Sequence, residues 1–257
     1  MGIIRSTGRH GVDLNMGVLD GKVAIVTGSN RGIGRGIARG FAREGARLAL
    51  AARDATLLEE AAEEFQVFGG DVVTFPTDVT IETEADALIA QTVDHFGCLD
   101  VLVNNAGIAR HAPVVDMDLS DWQATLDTNL TGPFLCARAA LRVMAEARRG
   151  RIINVASISS QRVRSGSASY SASKFGLWGL TQVLALEGRP YGVSSSCLNP
   201  GNTMVERRIK TNDAPDEPMM TVDELAAVAV TMAALPDHVN MLEATVLPVN
   251  QLFVGRG

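Results

Sequence analysis

The sequence has few of the residues that build disulfide frameworks or metal centres. Its three cysteines, Cys98, Cys136 and Cys197, lie far apart in 257 residues and form no CxxC pair. This spacing predicts neither a disulfide scaffold nor a zinc site, and it favours a reducing compartment such as the cytoplasm. The four histidines show no metal-ligand spacing either, so each is expected on the surface or in a loop and no bound metal is predicted.

Long apolar runs and an excess of positive charge are also absent. No apolar run approaches the roughly 18 residues that a membrane span needs. The formal net charge of −6 gives no electrostatic reason to expect a nucleic-acid partner. The first 15 residues lack the apolar segment of a signal peptide, and Met16 could be the true start. Residues 1–18 are therefore expected to be a flexible leader, and residues 19–257 a single domain.

Hydrophobic patterning predicts an α/β fold. Short apolar runs, several of them apolar at every position, alternate with longer helical patterns between about residues 20 and 250. Strands are predicted at 22–27, 47–52, 72–76, 99–104, 151–157, 193–199 and 244–249. Helices are predicted at 33–44, 55–68, 82–96, 118–148, 168–189 and 221–235. The strict alternation of strands with helices predicts a single-domain, Rossmann-like, doubly wound parallel sheet of about seven strands with helices on both faces.

Tyr170 and Lys174 form an informative pair, because the chain has only two tyrosines and three lysines. Residues four apart lie on one face of a helix. A phenol has a pKa of about 10, and an adjacent ammonium group favours the phenolate and lowers this pKa. Such a pair can give and take a proton near neutral pH. Alternatively, it is a helix-surface pair that contributes a few tenths of a kcal/mol.

A glycine-rich turn follows the first predicted strand, in the run Thr27-Gly28-Ser29-Asn30-Arg31-Gly32-Ile33-Gly34. Glycines at 28, 32 and 34 allow a tight turn and close approach of the backbone to a pyrophosphate, which the helix N-terminus then faces. The alternative is a glycine-rich strand–helix turn without a ligand.

The spacing TGxxxGxG, the segment Asn104-Asn105-Ala106-Gly107 and the YxxxK pair together resemble the short-chain dehydrogenase/reductase family, over about residues 20 to 250. The resemblance implies four catalytic residues: Asn129, Ser157, Tyr170 and Lys174. Ser157 would stabilise the carbonyl oxygen, Tyr170 would transfer its proton, Lys174 would lower the pKa of Tyr170 and hold the ribose, and Asn129 would keep a water relay behind Lys174.

The same resemblance implies a set of cofactor-binding residues. They are Gly28, Asn30, Arg31, Gly32, Ile33, Gly34, Arg53, Asp78, Val79, Asn105, Ala106, Gly107, Tyr170, Lys174, Pro200, Gly201 and Thr203. Enzymes that prefer NAD carry an acid at the end of the second strand, where this chain has Ala52 followed by Arg53. Two arginines, Arg31 and Arg53, suit a 2′-phosphate instead and predict NADP(H), unless both are only solvated surface charges.

Two departures from the family pattern stand near the end of the chain. In the run Pro200-Gly201-Asn202-Thr203-Met204-Val205, the threonine comes two positions earlier than usual. The family's common glycine pair is missing after the last strand. Arg162 and Arg164 lie between Ser157 and Tyr170, and an extended chain there would turn at most one of them toward the substrate, where it would favour a carboxylate or phosphate. Alternatively, both arginines are solvated loop charges.

The predicted activity is NADP(H)-dependent hydride transfer to or from a carbonyl or secondary alcohol, as in a ketone or 3-oxoacyl reductase. The first alternative is an NAD-linked polyol or steroid dehydrogenase, and the second is a cofactor-sensing regulatory protein without turnover. The resemblance also implies a homodimer or homotetramer in which helices 118–148 and 168–189 pack across a twofold axis. Apolar residues on these helices are Ala139, Ala140, Phe175, Leu177 and Trp178.

Overall fold

A computed structural model describes residues 17–206 and 217–253 of the chain. Most of the expected leader at residues 1–18, and the middle of the segment between Gly201 and Met220, therefore lie outside the described residues. Among the described helices, none combines the length and apolarity of a membrane-spanning segment.

Within the described residues, one parallel sheet of seven strands has the order β3-β2-β1-β4-β5-β6-β7. The strands are β1 Val23–Thr27, β2 Arg47–Ala52, β3 Val72–Pro76, β4 Val101–Asn104, β5 Gly150–Val155, β6 Val193–Pro200 and β7 Glu243–Val246. The chain runs outward from β1 to β3 and then returns to the other side of β1 for β4. Connections leave β1 and β4 in opposite directions, and this opens a crevice at the carboxyl ends of the two strands.

Helices cover both faces of this sheet. They are α1 Gly32–Arg43, α2 Ala55–Gln66, α3 Glu82–Phe96, α4 Leu119–Leu126, α5 Gly132–Ala147, α6 Ala168–Gly188 and α7 Val222–Ala234. The predicted capping box begins α7, where the Thr221 hydroxyl accepts from Glu224 N and the Glu224 carboxylate accepts from Thr221 N. The predicted fold class is confirmed.

Strand β1 explains why the apolar runs are continuous. Ala24 and Val26 pack toward α1, α2 and α7, whereas Val23 and Ile25 pack toward α3, α5 and α6. All four side chains are at most 1% exposed. A parallel strand covered on both faces needs apolar residues at every position, so alternation of polar and apolar residues disappears.

The single helix predicted over 118–148 is interrupted. A π-helical turn, Asp127–Thr131, separates α4 from α5 and contains Asn129. Pro133 lies in the first turn of α5 and has no N–H to donate to the carbonyl of Asn129. The normal i→i−4 ladder cannot form there, and π turns of this kind often occur at functional sites.

Candidate active site

The glycine turn packs against the segment that follows β4. A Cβ on Gly34 would lie 2.2 Å from the Gly28 carbonyl oxygen and 2.3 Å from Asn105 Nδ2. A Cβ on Gly28 would lie 2.9 Å from the Ala106 Cα, and Gly28 also has a φ of +64°. Only glycine fits these two positions without moving backbone atoms.

Asn105 and Thr27 tie the ends of β1 and β4 together. Asn105 Nδ2 donates to the carbonyl oxygens of Thr27 at 2.9 Å and Gly28 at 3.2 Å. The Thr27 hydroxyl accepts from the backbone N–H groups of Asn105 and Ala106 at 3.0 and 3.1 Å. The amide of Asn105 therefore shapes the glycine turn at the crevice where the connections diverge.

The start of α1 already faces a carboxylate. Gly32 N–H donates to both carboxylate oxygens of Glu206, at 3.0 and 3.3 Å. Free N–H groups and the helix dipole make this end of a helix favourable for an anion. Glu206 was not singled out from the sequence, because a glutamate six residues after β6 carries no pattern of its own.

Two of the residues predicted at the adenosine end, Arg53 and Asp78, are neighbours. Arg53 follows β2 with its side chain 70% exposed, and its Nη1 is 3.8 Å from Asp78 Oδ2. The other carboxylate oxygen of Asp78 accepts from the Thr80 backbone N–H and hydroxyl, which fixes the turn after β3. Arg31 is exposed at the N-cap of α1, and Val79 is 7% exposed.

Ser157 lies two residues beyond β5 instead of within it, as the N-cap of a 3₁₀ turn, Ile158–Ser160. Its side chain accepts a hydrogen bond from Ser159 N–H at 3.1 Å. The hydroxyl oxygen therefore acts as an acceptor toward Ser159, and the hydroxyl hydrogen stays available for donation to another group. Ser157 is 9% exposed and lines the main cavity.

Tyr170 and Lys174 lie on α6 with Lys174 behind the phenol ring. Lys174 Nζ is 5.7 Å from the centroid of the Tyr170 ring and donates to the Val155 carbonyl at 2.9 Å. Burial of the ammonium group lowers the pKa of Lys174 from 10.5 to about 8. Nearby Cys197 acts in the opposite direction on this pKa and is the smaller influence.

Asn129 is fully buried and joins the segment after β4 to α6. Its Oδ1 accepts from Ile108 N–H at 2.8 Å, and its Nδ2 donates to the Ile108 carbonyl at 2.9 Å and the Ser173 hydroxyl at 3.1 Å. The Ser173 hydroxyl donates to the Tyr170 carbonyl at 2.7 Å. Asn129 thus links the backbone at Ile108 to Ser173, which lies between Tyr170 and Lys174 on α6.

A cavity of about 540 Å³ opens at this end of the sheet. Among the predicted site residues, those on its wall are Ile33, Ser157, Tyr170, Pro200, Gly201 and Thr203. The displaced Thr203 is thus at the cavity despite its early position, and its hydroxyl donates to the Gly201 carbonyl at 3.2 Å. Lys174 and Asn129 lie behind the wall, and the adenosine-end residues lie outside this cavity.

Several residues that line the cavity were not predicted as site residues. His111 is exposed and lies in a loop, as expected for a surface or loop histidine, and it also lines the cavity with its ring centroid 6.1 Å from that of Tyr170. Gln251 follows β7, and its Oε1 accepts from Asn202 N–H at 2.7 Å. The end of the chain that lacks the glycine pair therefore still contributes to the cavity through Gln251, Leu252 and Phe253. No motif marks these residues, because tertiary packing alone brings them here.

The expectation that only one of Arg162 and Arg164 faces the cavity is wrong. Both residues line it, as does Val163 between them. The expectation assumed an extended strand, but residues 162–164 form no strand and follow the rim of the cavity.

The residues at the crevice fit a dinucleotide. The turn has no room for side chains at Gly28 and Gly34, the first N–H of α1 attracts an anion, and β2 ends at Ala52 and is followed by Arg53, without an acid. Among the described residues, no cluster of three or more histidine, cysteine, aspartate or glutamate side chains could hold a metal ion. Fold and site together define a nicotinamide-dependent oxidoreductase.

Comparison with known proteins agrees with this class. The family model for short chain dehydrogenases matches residues 22–216. An uncharacterised oxidoreductase of Staphylococcus aureus is 37% identical over 235 residues, which are 91% of this chain and all of that protein. A 3-oxoacyl-[acyl-carrier-protein] reductase of Synechocystis is 38% identical over 201 residues, which are 78% of this chain and 81% of that protein.

A solved structure is also similar. The alcohol dehydrogenase of the archaeon Thermococcus sibiricus, complexed with 5-hydroxy-NADP, has a TM-score of 0.81 at 28% identity. The match covers 90% of this chain and 97% of that one. The chain belongs to the short-chain dehydrogenase family. It is an oxidoreductase that acts on CH–OH groups of small molecules with a nicotinamide cofactor.

Proposed function

We propose that the protein transfers a hydride between NADP(H) and a carbonyl or secondary alcohol, as a ketone or 3-oxoacyl reductase. The observation that carries this proposal is the arrangement of Ser157 and Tyr170 on one cavity wall, with the buried ammonium group of Lys174 behind the phenol ring. The similarity to a 3-oxoacyl-[acyl-carrier-protein] reductase supports the substrate type.

The bound nicotinamide would supply or accept the hydride. Ser157 would donate its hydrogen to the carbonyl oxygen, because its oxygen already accepts from Ser159 N–H. Tyr170 would transfer the proton to the same oxygen. Lys174, in its charged form, would favour the phenolate and hold the ribose, while Asn129 would hold α6 in register and provide one remaining acceptor position for a water relay.

The proposed cofactor residues divide by position. The glycine turn, with Asn30, Ile33 and the Asn105–Gly107 segment, would hold the pyrophosphate side. Asp78 and Val79 would frame the adenine, and Pro200, Gly201 and Thr203 would lie beside the nicotinamide. The exposed Arg31 and Arg53 would hold a 2′-phosphate, and the presence of 5-hydroxy-NADP in the Thermococcus sibiricus protein supports this preference.

We further propose a cytoplasmic homodimer or homotetramer. The cytoplasmic location is supported by three free cysteines, two of which are buried. The oligomer is supported by apolar side chains that α6 leaves exposed.

The test measures oxidation of NADPH and of NADH with a panel of ketones and 3-oxo thioesters, and reduction of NADP⁺ and of NAD⁺ with a panel of polyols. Carbonyl-dependent oxidation of NADPH is expected, and faster reduction of NAD⁺ with polyols would favour the alternative dehydrogenase. Tight NADPH binding without any turnover would favour a sensor.

Arg31→Ala combined with Arg53→Ala should reduce the NADPH preference about 10- to 150-fold, given the usual strength of charge-assisted contacts. Arg189→Ala, an exposed arginine after α6, should leave the preference unchanged.

A further inference from the structure

The segment after Ser157 is anchored at two successive residues. The Ser160 hydroxyl lies 2.7 Å from the Ser157 carbonyl oxygen and 2.8 Å from Asn199 Oδ1. Gln161 Nε2 donates to the Glu243 carboxylate and, at 3.3 Å, to the Thr245 hydroxyl. Because β6 and β7 hold Ser160 and Gln161, the next residue has a fixed position relative to Ser157.

That next residue is Arg162. Its guanidinium carbon lies 5.7 Å from the centroid of the Phe253 ring, and both residues line the cavity. Stacking on an aromatic face holds a guanidinium group in place and leaves its N–H groups available in the plane of the fork. Within the described part of the chain, the guanidinium group of Arg162 makes one hydrogen bond, a weak one from Nη1 to the Gln161 carbonyl at 3.4 Å.

The charge of the cavity wall is not balanced. Its described charged residues are Arg162, Arg164 and Glu217, and the Glu217 carboxylate is already bound by Asn202 Nδ2 at 2.7 Å. Within residues 17–206 and 217–253, no carboxylate lies within 4.0 Å of either arginine. Among these described residues the positive charges outnumber the negative by one, so this part of the wall favours an anion.

We propose that the substrate is an oxo acid or hydroxy acid whose carboxylate binds Arg162 while its carbonyl or hydroxyl carbon is at Ser157 and Tyr170. This inference rests on the proposed function. In reduction, the hydride adds to the carbonyl carbon with both its electrons and Tyr170 gives a proton to the oxygen, so an oxo acid, NADPH and a proton yield a hydroxy acid and NADP⁺. The carboxylate is not consumed. A guanidinium fork binds a carboxylate through two parallel hydrogen bonds, which would fix the reacting carbon at one distance from Arg162.

The first experiment compares kcat/KM for three oxo acids with kcat/KM for their methyl esters. The probes are 3-oxobutanoate, 4-oxopentanoate and 5-oxohexanoate, which place the carbonyl at increasing distances from the charge. At least one acid should be a better substrate than its ester. Arg162→Ala should lower kcat/KM for that acid about 10- to 150-fold and change the ester less than about threefold. Arg189→Ala is the matched control and should change neither.

A binding measurement separates this inference from the proposed activity. Calorimetry with the protein–NADP⁺ complex compares hexanoate with hexanamide, which differ in charge and need no turnover. Hexanoate should bind more tightly, and Arg162→Ala should abolish the difference. Turnover of esters and neutral ketones in preference to acids, with no preference for hexanoate, overturns the inference and leaves the proposed function intact. A selective loss on acids in Arg164→Ala but not in Arg162→Ala overturns the assignment to Arg162.

Discussion

The chain contains two tyrosines, Tyr170 and Tyr191, which lie in different environments. Tyr191 can therefore serve as a control for substitutions at Tyr170. Tyr191 is 42% exposed on the 3₁₀ turn after α6, whereas Tyr170 lines the cavity in front of Lys174. One substitution at each position therefore distinguishes loss of a phenol from loss of the reacting phenol.

Tyr170→Phe should lower kcat about 10²- to 10⁴-fold, because it keeps the ring and removes the oxygen that transfers the proton. NADPH binding, measured by fluorescence titration, should stay within a few-fold of wild type. Tyr191→Phe should retain wild-type kcat. If Tyr170→Phe kept more than about a tenth of the wild-type rate, Tyr170 would not be the acid–base residue.

Lys174 should make stability depend on pH in a defined window. Its folded-state pKa of about 8 lies below the ordinary 10.5, so between these values the unfolded chain binds more protons. The contribution of Lys174 to the free energy of unfolding therefore rises with pH across this window. Burial of its charged form destabilises the folded protein most below about pH 8. Relative to Lys174→Met, wild-type stability should rise by about 3 kcal/mol between pH 7 and 10.5.

Urea unfolding of both proteins at several pH values measures this difference. The hydrogen bond from Lys174 to Val155 is lost in the variant at every pH, so its cost cancels in the comparison. Parallel pH profiles for wild type and Lys174→Met would contradict the prediction.

Glu206 should compete with the cofactor for the start of α1. Its carboxylate accepts from Gly32 N–H, where a pyrophosphate is proposed to bind. Glu206→Gln keeps the shape and removes the charge, so NADPH should bind about 2- to 5-fold more tightly, as expected for one charge at a helix N-terminus. Glu187→Gln, an exposed glutamate near the end of α6, is the control for long-range charge effects. Calorimetry showing equal or weaker binding for Glu206→Gln than for the control would rule out competition.

At the scale of elements, the turn between β1 and α1 tolerates no side chain where it meets Asn105. Gly40, in the middle of α1, is a useful comparison, because a Cβ there would meet the Ala226 methyl group at 3.2 Å instead of backbone. A neighbouring helix can shift by a few tenths of an ångström, but the closed turn cannot.

Gly34→Ala should therefore destabilise the protein by about 1–3 kcal/mol, the usual cost of overpacking. It should also weaken NADPH binding, because the Asn105 amide must leave the glycine turn. Gly40→Ala should cost clearly less and leave NADPH binding unchanged. Thermal unfolding with and without NADPH checks both effects, and equal losses in the two variants would contradict the explanation.

The π turn is the element that the hydrophobic pattern could not predict. Residues 118–148 have the periodicity of one long helix, and the one-residue shift at Asp127–Thr131 is too small to disturb it. Pro133 is the only local signal, and proline in the first turn of a helix is ordinary. The shift matters because Asn129 lies in it and reaches both Ile108 and Ser173.

At the scale of the molecule, α6 has one buried and one exposed apolar face. Leu177 is 1% exposed, and Ala139 and Ala140 on α5 are 6% and 0% exposed, so these three predicted interface residues face the protein's own sheet. The large apolar side chains that α6 leaves exposed are Phe175, Val183 and Leu186, at 44%, 46% and 60%. Their spacing places them on one side of the helix, as a contact surface requires.

Light scattering at micromolar concentration should give the mass of a dimer or tetramer. Val183→Glu combined with Leu186→Glu should shift the mass to a smaller species, because two charges would be buried in an apolar contact. Gln66→Glu, at an exposed polar position at the end of α2, serves as the control. A monomeric mass for the wild type would show that the exposed face of α6 has another role.

The sequence by itself determined the parallel sheet, the glycine turn and the placement of Tyr170 and Lys174 on one face of a helix, whereas Ser157 was implied by the resemblance to the family. These features are local: strand and helix periodicity, a turn that only glycine can form, and a four-residue spacing on one helix. Only the tertiary structure decided that His111, Gln251 and Phe253 share the cavity with Tyr170, that Glu206 caps α1, and that both Arg162 and Arg164 line the rim. The segments that carry these residues leave different strands and meet only when the sheet has formed. Their contacts depend on which distant segments the fold brings together, and a pattern of neighbouring residues cannot predict such contacts.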